Sequence, residues 1–258
     1  TPTLDPAGQA AVLRALVRTR RSNAKPLILR TLDPSADVEL RRAVSWGLAA
    51  LNLSAETKPY PHDDLVAPLI DLLGDEDGVV RMNAAQALGR MGPHAAPAID
   101  ALVARLADPE TYVAGHASVA LANVGEPAYA PLDVALREGP RDASDDVVWV
   151  LRQLGGERAR SILRRATEHD DALVRVRAAV GLHAMGDPAA SALALLTPAL
   201  EETEDVEVLL AALSGLGRLG REAAPARAAV VALQSHSHER VRRSATNVLS
   251  GLPDEAPR

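Results

Sequence analysis

The segment VVRMNAAQALGRMG at 79–92 returns as YVAGHASVALANVG at 112–125 and again as LVRVRAAVGLHAMG at 173–186. No other feature constrains the fold as strongly, because a unit of about 20–50 residues that recurs cannot bury its apolar face alone and must stack on copies of itself. Aligned on Val80, the equivalent residues are Leu40, Val113, Ala143, Val174, Val208 and Val241, with successive separations of 40, 33, 30, 31, 34 and 33. The chain therefore carries seven copies of one unit.

Within each copy, apolar or small residues fall at fixed offsets from the reference. Offset 4 holds Val44, Ala84, Ala117, Val147, Ala178, Ala212 and Ala245; offset 8 holds a leucine in every copy, from Leu48 to Leu249. Offset 11 adds Leu51, Met91, Val124, Leu154, Met185, Leu219 and Leu252. Offsets 0, 4, 8 and 11 trace one stripe of a helix with about 3.6 residues per turn. Asp37, Asp77, Asp171 and Asp205 stand three residues before the reference, suited to capping the helix start, and Gly92, Gly125, Gly155, Gly186 and Gly220 stand twelve after, suited to ending it. Runs such as APLIDLLGDED at 67–77 and PAIDALVARLADPE at 97–110 supply another amphipathic helix. The unit is a helical hairpin.

Composition agrees. Hydrophobic residues make up 47% of the 258 but aromatic ones only 2%, so the core is built from Leu, Val, Ile and Ala, which suits packed helices better than sheets. The expected class is all-α.

The pattern D-x-x-V-R, then Ala, then A-L-G-x-x-G, carried by Asp77, Val80, Arg81, Ala84, Ala87, Leu88, Gly89 and Gly92, resembles the HEAT repeat of the bacterial phycobilisome-lyase type over roughly residues 24–253. The resemblance implies a right-handed α-solenoid of about seven hairpins whose second helices line a concave surface. The expected organisation is one solenoid over 1–258: an N-terminal cap in 1–23, with its helix at 4–21, then repeats near 24–52, 65–94, 95–126, 127–156, 157–187, 188–221 and 222–253. Residues 53–66, with Pro59, Tyr60 and Pro61, read as a long loop. Repeat 4 departs most, with Pro140 in place of the capping acid and Ala143-Ser144 in place of Val-Arg.

The chain has two tryptophans, Trp46 and Trp149, and both fall at offset 6. At about 100° per residue, offsets 2, 6 and 9 lie opposite the core stripe and are expected to be exposed. In the middle repeats these positions are unexpectedly apolar, with Met82, Val119, Trp149, Val176, Val180 and Leu210. An apolar patch with a charged rim marks an interaction site, and tryptophan is favoured at hot spots. The reading is a non-enzymatic scaffold that binds a protein or peptide in its concave groove. Trp46, Met82, Val119, Trp149, Val176, Val180 and Leu210 are its apolar anchors, and Arg152, Arg177 and His183 select acidic groups. Homodimerisation through the same face belongs to this reading, and burial of the patch within the chain is the structural alternative.

Other chemistry is weakly signalled. A formal charge of −6 argues against non-specific nucleic-acid binding, although Arg14, Arg18, Arg20, Arg21, Lys25 and Arg30 make a basic N-terminal stretch. GLGRLG at 215–220 matches a dinucleotide fingerprint but falls at a helix end with Leu216 and Leu219 as core rungs, whereas the fingerprint must open a helix. His236, His238 and Glu239, like EHDD at 168–171, sit in turns where other repeats carry capping acids, so no metal or cofactor is expected. Deoxyhypusine hydroxylase, a HEAT-like enzyme family, uses His-Glu pairs for iron; here His116 and His183 are each followed by alanine. There is no cysteine, no G-x-S-x-G elbow and no apolar run long enough for a bilayer, so no catalytic residue is assigned and a soluble, cytoplasmic protein is expected. A lyase or enzyme-accessory subunit of the phycobilin-lyase type, and a DNA-binding or repair protein using Trp46, Trp149, Arg42, Arg152, Arg177 and Arg243, remain as alternatives.

Overall fold

A computed structural model describes residues 37–50 and 63–253. The expected N-terminal helix and basic stretch lie outside the described residues, as do Pro59, Tyr60 and Pro61; the tail of the expected loop already belongs to a helix that begins at Asp63. The described residues are all-α, with no strand among them. The stripe-bearing helix of each repeat is present: α1 (Val38–Ala50), α3 (Gly78–Met91), α5 (Thr111–Val124), α7 (Ser144–Leu154), α9 (Ala172–Ala184), α11 (Val206–Leu219) and α13 (Glu239–Gly251). Alternating with them are α2 (Asp63–Leu72), α4 (Ile99–Ala104), α6 (Tyr129–Glu138), α8 (Gly156–Ala166), α10 (Ala189–Glu201) and α12 (Arg227–Ala232). Where Pro97 and Pro225 remove a backbone N–H, α4 and α12 are shortened and preceded by 3₁₀ turns at Gly92–Ala98 and Gly220–Ala226.

Leu48, Leu88, Leu121, Leu151 and Leu216 are wholly buried, as are all seven residues at offset 4. The caps also fall where the pattern puts them. Asp77 accepts from the N–H groups of Val79 and Val80, Asp171 from Leu173, Asp205 from Glu207 and Val208, and Asp37 from Glu39. The offset-12 glycines have φ between 57° and 99°, a range that side chains resist.

The V-R pair has a structural meaning. Nη1 of Arg81 donates to the carbonyls of Asp75 and Glu76 in its own hairpin turn; Arg175 does the same with His169 and Asp170, and Arg242 with His236 and Ser237. Five residues before the reference stands an acceptor for the N–H two residues on: Asp75, Asp108, His169, Thr203 and His236. Repeat 4 has Pro140 at the receiving position and no N–H to offer, so this turn is built differently.

The chain divides into two compact units, Thr1–Leu132 and Asp133–Arg258, with the boundary inside α6. In the first, buried ion pairs tie successive hairpins. Arg41 is bidentate to Asp75 (Nε–Oδ2 2.8 Å, Nη2–Oδ1 3.1 Å), and Arg81 is bidentate to Asp108 (2.9 and 2.8 Å). Burial opposes charge on Asp108, but Arg81, the Glu110 N–H and Arg105 outweigh it and hold the carboxyl below its ordinary range. In the second unit α9 to α13 share one apolar core, and glycines bring helices close. A Cβ on Gly181 would lie 2.6 Å from Cγ1 of Val148, and one on Gly215 would lie 2.6 Å from Val180 and Leu196 methyls.

Candidate functional site

In the second unit α7, α9 and α11 form a furrow of about 240 Å³. Val180 and Gly181 of α9 lie between the two walls, with Ser214 and Gly215 of α11 as further small lining residues. Trp149 and Arg152 rise from α7 on one side, Leu210 and Arg218 from α11 on the other. Trp149 is 36% exposed, with its remaining surface packed into the wall.

The structure brings Trp149, Arg152, Arg177, Val180 and Leu210 to this furrow, five of the ten residues singled out from sequence. Trp46, Met82 and Val119 belong to the first unit; Trp46 and Val119 are exposed and Met82 is half-buried. Two expected anchors need correction. Val176 and Val180 are only 2% and 7% exposed and belong to the core of the second unit. The cause is Gly215, whose missing side chain admits the Val180 methyl; Val180 thus contributes floor rather than an exposed anchor. His183 turns away from the furrow: its Nδ1 meets the carbonyl of Asp187 at 3.1 Å, and it lines a separate depression with Arg164 and Leu195.

The rim cations differ in availability. Nη1 of Arg177 donates to the carbonyls of Arg141 and Asp142 and to Oγ of Ser144 (2.9, 3.3 and 2.8 Å), closing the turn that Pro140 deprives of its cap. Arg141 itself approaches Asp171 at 3.5 Å and Asp205 at 2.9 Å. Burial works against charge on Asp205, yet Arg141 and the capped N–H groups of Val208 and Glu207 keep its carboxyl below the ordinary range. Arg152 is different, because its Nε is buried without a hydrogen-bond partner. Arg218 likewise has no ion-pair or hydrogen-bond partner among the described residues.

Glu207 and Arg218 were missed by sequence reasoning because only offsets 2, 6 and 9 were taken as exposed. They stand at offsets −1 and 10, which at about 100° per residue lie within roughly 40° of offset 6. Of the cations considered for nucleic acid, Arg42 is bound to Asp77 and Glu39, and Arg243 to Glu239. The Arg42 hydrogen bond also lowers the Asp77 carboxyl from its usual range. The G-x-G-x-x-G segment closes α11, with Leu216 and Leu219 buried and Gly220 as its cap. The histidines of the two suspected metal turns act as turn acceptors: Nδ1 of His169 takes the N–H of Asp171, and Nδ1 of His236 that of His238. No helix among the described residues is long and apolar enough to cross a membrane.

Residues 56–122 match the family model of HEAT repeats. The hairpins described above continue on both sides of that segment, so the chain is similar to HEAT repeat proteins in its repeat architecture. No curated protein matches the sequence. Among solved structures, the complex of CpcE and CpcF of phycocyanin lyase from Nostoc sp. is 22% identical, with 97% of this chain and 95% of that chain covered and a TM-score of 0.40. Human deoxyhypusine hydroxylase is 22% identical over 97% and 91% of the two chains, at a TM-score of 0.35. A designed armadillo repeat protein in complex with the peptide (KR)4 is 19% identical over 88% and 98%, at 0.36. These likenesses are too loose to bear on function.

Proposed function

We propose that this HEAT-like repeat protein is a non-enzymatic scaffold that docks a protein or peptide in the furrow between α7 and α11. The observation that carries the reading is Trp149, a scarce and costly side chain left partly exposed beside a depression with an apolar floor. Affinity comes from desolvating Trp149 and Leu210 over that floor; specificity comes from the charged rim. Trp46 and Val119 offer an additional apolar surface on the first unit, and a second copy of the chain is one occupant either surface would accept.

The test is affinity capture from lysate with wild type and Trp149→Asp, each checked by circular dichroism. Val180 is left intact because a charge at a buried position would unfold the repeat. Partners retained by wild type and lost by the variant support docking at the furrow. Identical partners with both proteins would overturn it. Sedimentation equilibrium of the two proteins distinguishes a second copy from a different partner.

A further inference from the structure

Building on that docking reading, we infer that the furrow selects an extended peptide segment of three to five residues carrying a basic residue at one end, an apolar residue in the middle and an acidic residue at the other. The two walls share a polarity. Asp145 opens α7 and Glu207 opens α11, whereas Arg152 and Arg218 stand in the last turns of the same helices, and all four line one furrow. Carboxylates therefore mark one mouth, where Arg177 is already fastened to the 141–144 turn, and the guanidinium groups of Arg152 and Arg218 mark the other, with Trp149 and Leu210 between.

Neither cation of the basic mouth has a partner among the described residues. Nε of Arg152 is buried with no acceptor, a condition that proteins rarely leave uncorrected, and Arg218 has no partner of its own. A ligand carboxylate would pair with the accessible ends of both guanidinium groups, Arg152 being half-buried and Arg218 exposed. At the acidic mouth Asp145 has no partner, and Glu207 is paired only with Arg240 in an exposed contact of 3.5 Å, the kind that adds little. Arg177 also lines the furrow, but its Nη1 is held by the 141–144 turn.

The spacing sets the length. At about 1.5 Å rise per residue, seven residues separate Asp145 from Arg152 by roughly 10 Å and eleven separate Glu207 from Arg218 by roughly 16 Å. An extended chain covers those distances in three to five residues at about 3.3 Å each. The occupant runs along the helices, following the trough above α9.

The experiment uses the full chain carrying Trp46→Phe, so that Trp149 alone reports by fluorescence. It is titrated with acetyl-Lys-Ala-Leu-Ala-Glu-amide and with versions carrying Lys at both ends, Glu at both ends, or Gln at both ends. The expected result is binding of the bipolar peptide about tenfold tighter than each of the others, although the protein's net charge of −6 would by itself favour the doubly basic one. In the Arg152→Glu, Arg218→Glu variant, the preference should pass to the doubly basic peptide. If all four peptides bind alike, docking at Trp149 stands and the charge-selective inference is overturned. If none binds while Trp149→Asp still loses its captured partner, the inference again fails and docking survives. Failure of both experiments removes both readings.

Discussion

The residues up to Leu132 and those from Asp133 onward repeat the same hairpin, yet they tie one hairpin to the next by different means. In the first unit the arginines that follow two of the three reference residues reach the aspartate at the turn of the next repeat, Arg41 to Asp75 and Arg81 to Asp108. In the second unit those turn positions hold His169, Thr203 and His236, which still accept the turn N–H but cannot pair with arginine as carboxylates do. Cohesion there rests on the close approach of helices at Gly181 and Gly215 and on Arg177 and Arg141 bridging from one turn to another. The lesson is that a repeat specifies its own hairpin more tightly than its junctions. The first unit also has a glycine close approach, where a Cβ on Gly89 would lie 3.0 Å from Cα of Ala120, but there the arginine–aspartate pairs are added to it.

The sharpest way to break the contrast is Asp108→Ala. Its side chain is fully buried, so the substitution strands Arg81 without a countercharge and should cost about 3–5 kcal/mol, seen as a lower urea midpoint for the first unit. Hydrogen exchange should show α3 and α5 losing protection, with α9 to α13 unchanged. Gly215→Ala tests the other kind of junction: the new methyl collides with Val180 and Leu196 and should cost about 1–3 kcal/mol in the second unit. Gly115→Ala, in an exposed helical position with nothing nearby, should instead stabilise by about 0.5–1 kcal/mol.

Acid should separate the units by degree. The carboxyls of Asp77 and Asp108 in the first unit and Asp205 in the second are all held below their ordinary value of 3.8 in the folded chain. Because the unfolded chain then takes up protons first, their contribution is complete above about pH 5, begins to fall as pH approaches about 4 and is lost through the depressed folded values. Urea midpoints measured from neutral pH down to about pH 3 should therefore fall, more steeply for the first unit, and the difference should shrink when Asp108 is replaced. The smallest effect is expected of Thr203→Asp, which restores a carboxylate opposite Arg175, the residue equivalent to Arg81. Both positions are half-buried, so a new pair there is near break-even and stability should change by less than about 1 kcal/mol. A double-mutant cycle with Arg175→Met should nonetheless show coupling absent from the native chain.

Much of the hairpin was legible because its rules are local. Offset 8 requires an apolar side chain, offset −3 a short acceptor and offset 12 a residue tolerant of positive φ, and each can be read without knowing what stands opposite. The furrow was legible only in part. Trp149 was found by its rarity and its angle on the helix, and Arg152 by the same angle, but Glu207 and Arg218 lie at offsets excluded by too narrow a view of the exposed arc. Arg177 and His183 look like free cations in the sequence and turn out to be fastened to backbone carbonyls.

The sequence by itself determined the all-α class, the period, the stripe of each second helix and the residues that start and stop it, because these depend on geometry about a single helix axis. Tertiary structure alone decided which of two equivalent positions meets solvent. Trp149 and Val180 share offset 6, yet one is partly exposed and the other buried, since burial depends on how a side chain meets the neighbouring helix: Val180 lies against Gly215 of α11, whereas at the equivalent Gly181 of α9 the contact is made by Val148 and not by Trp149.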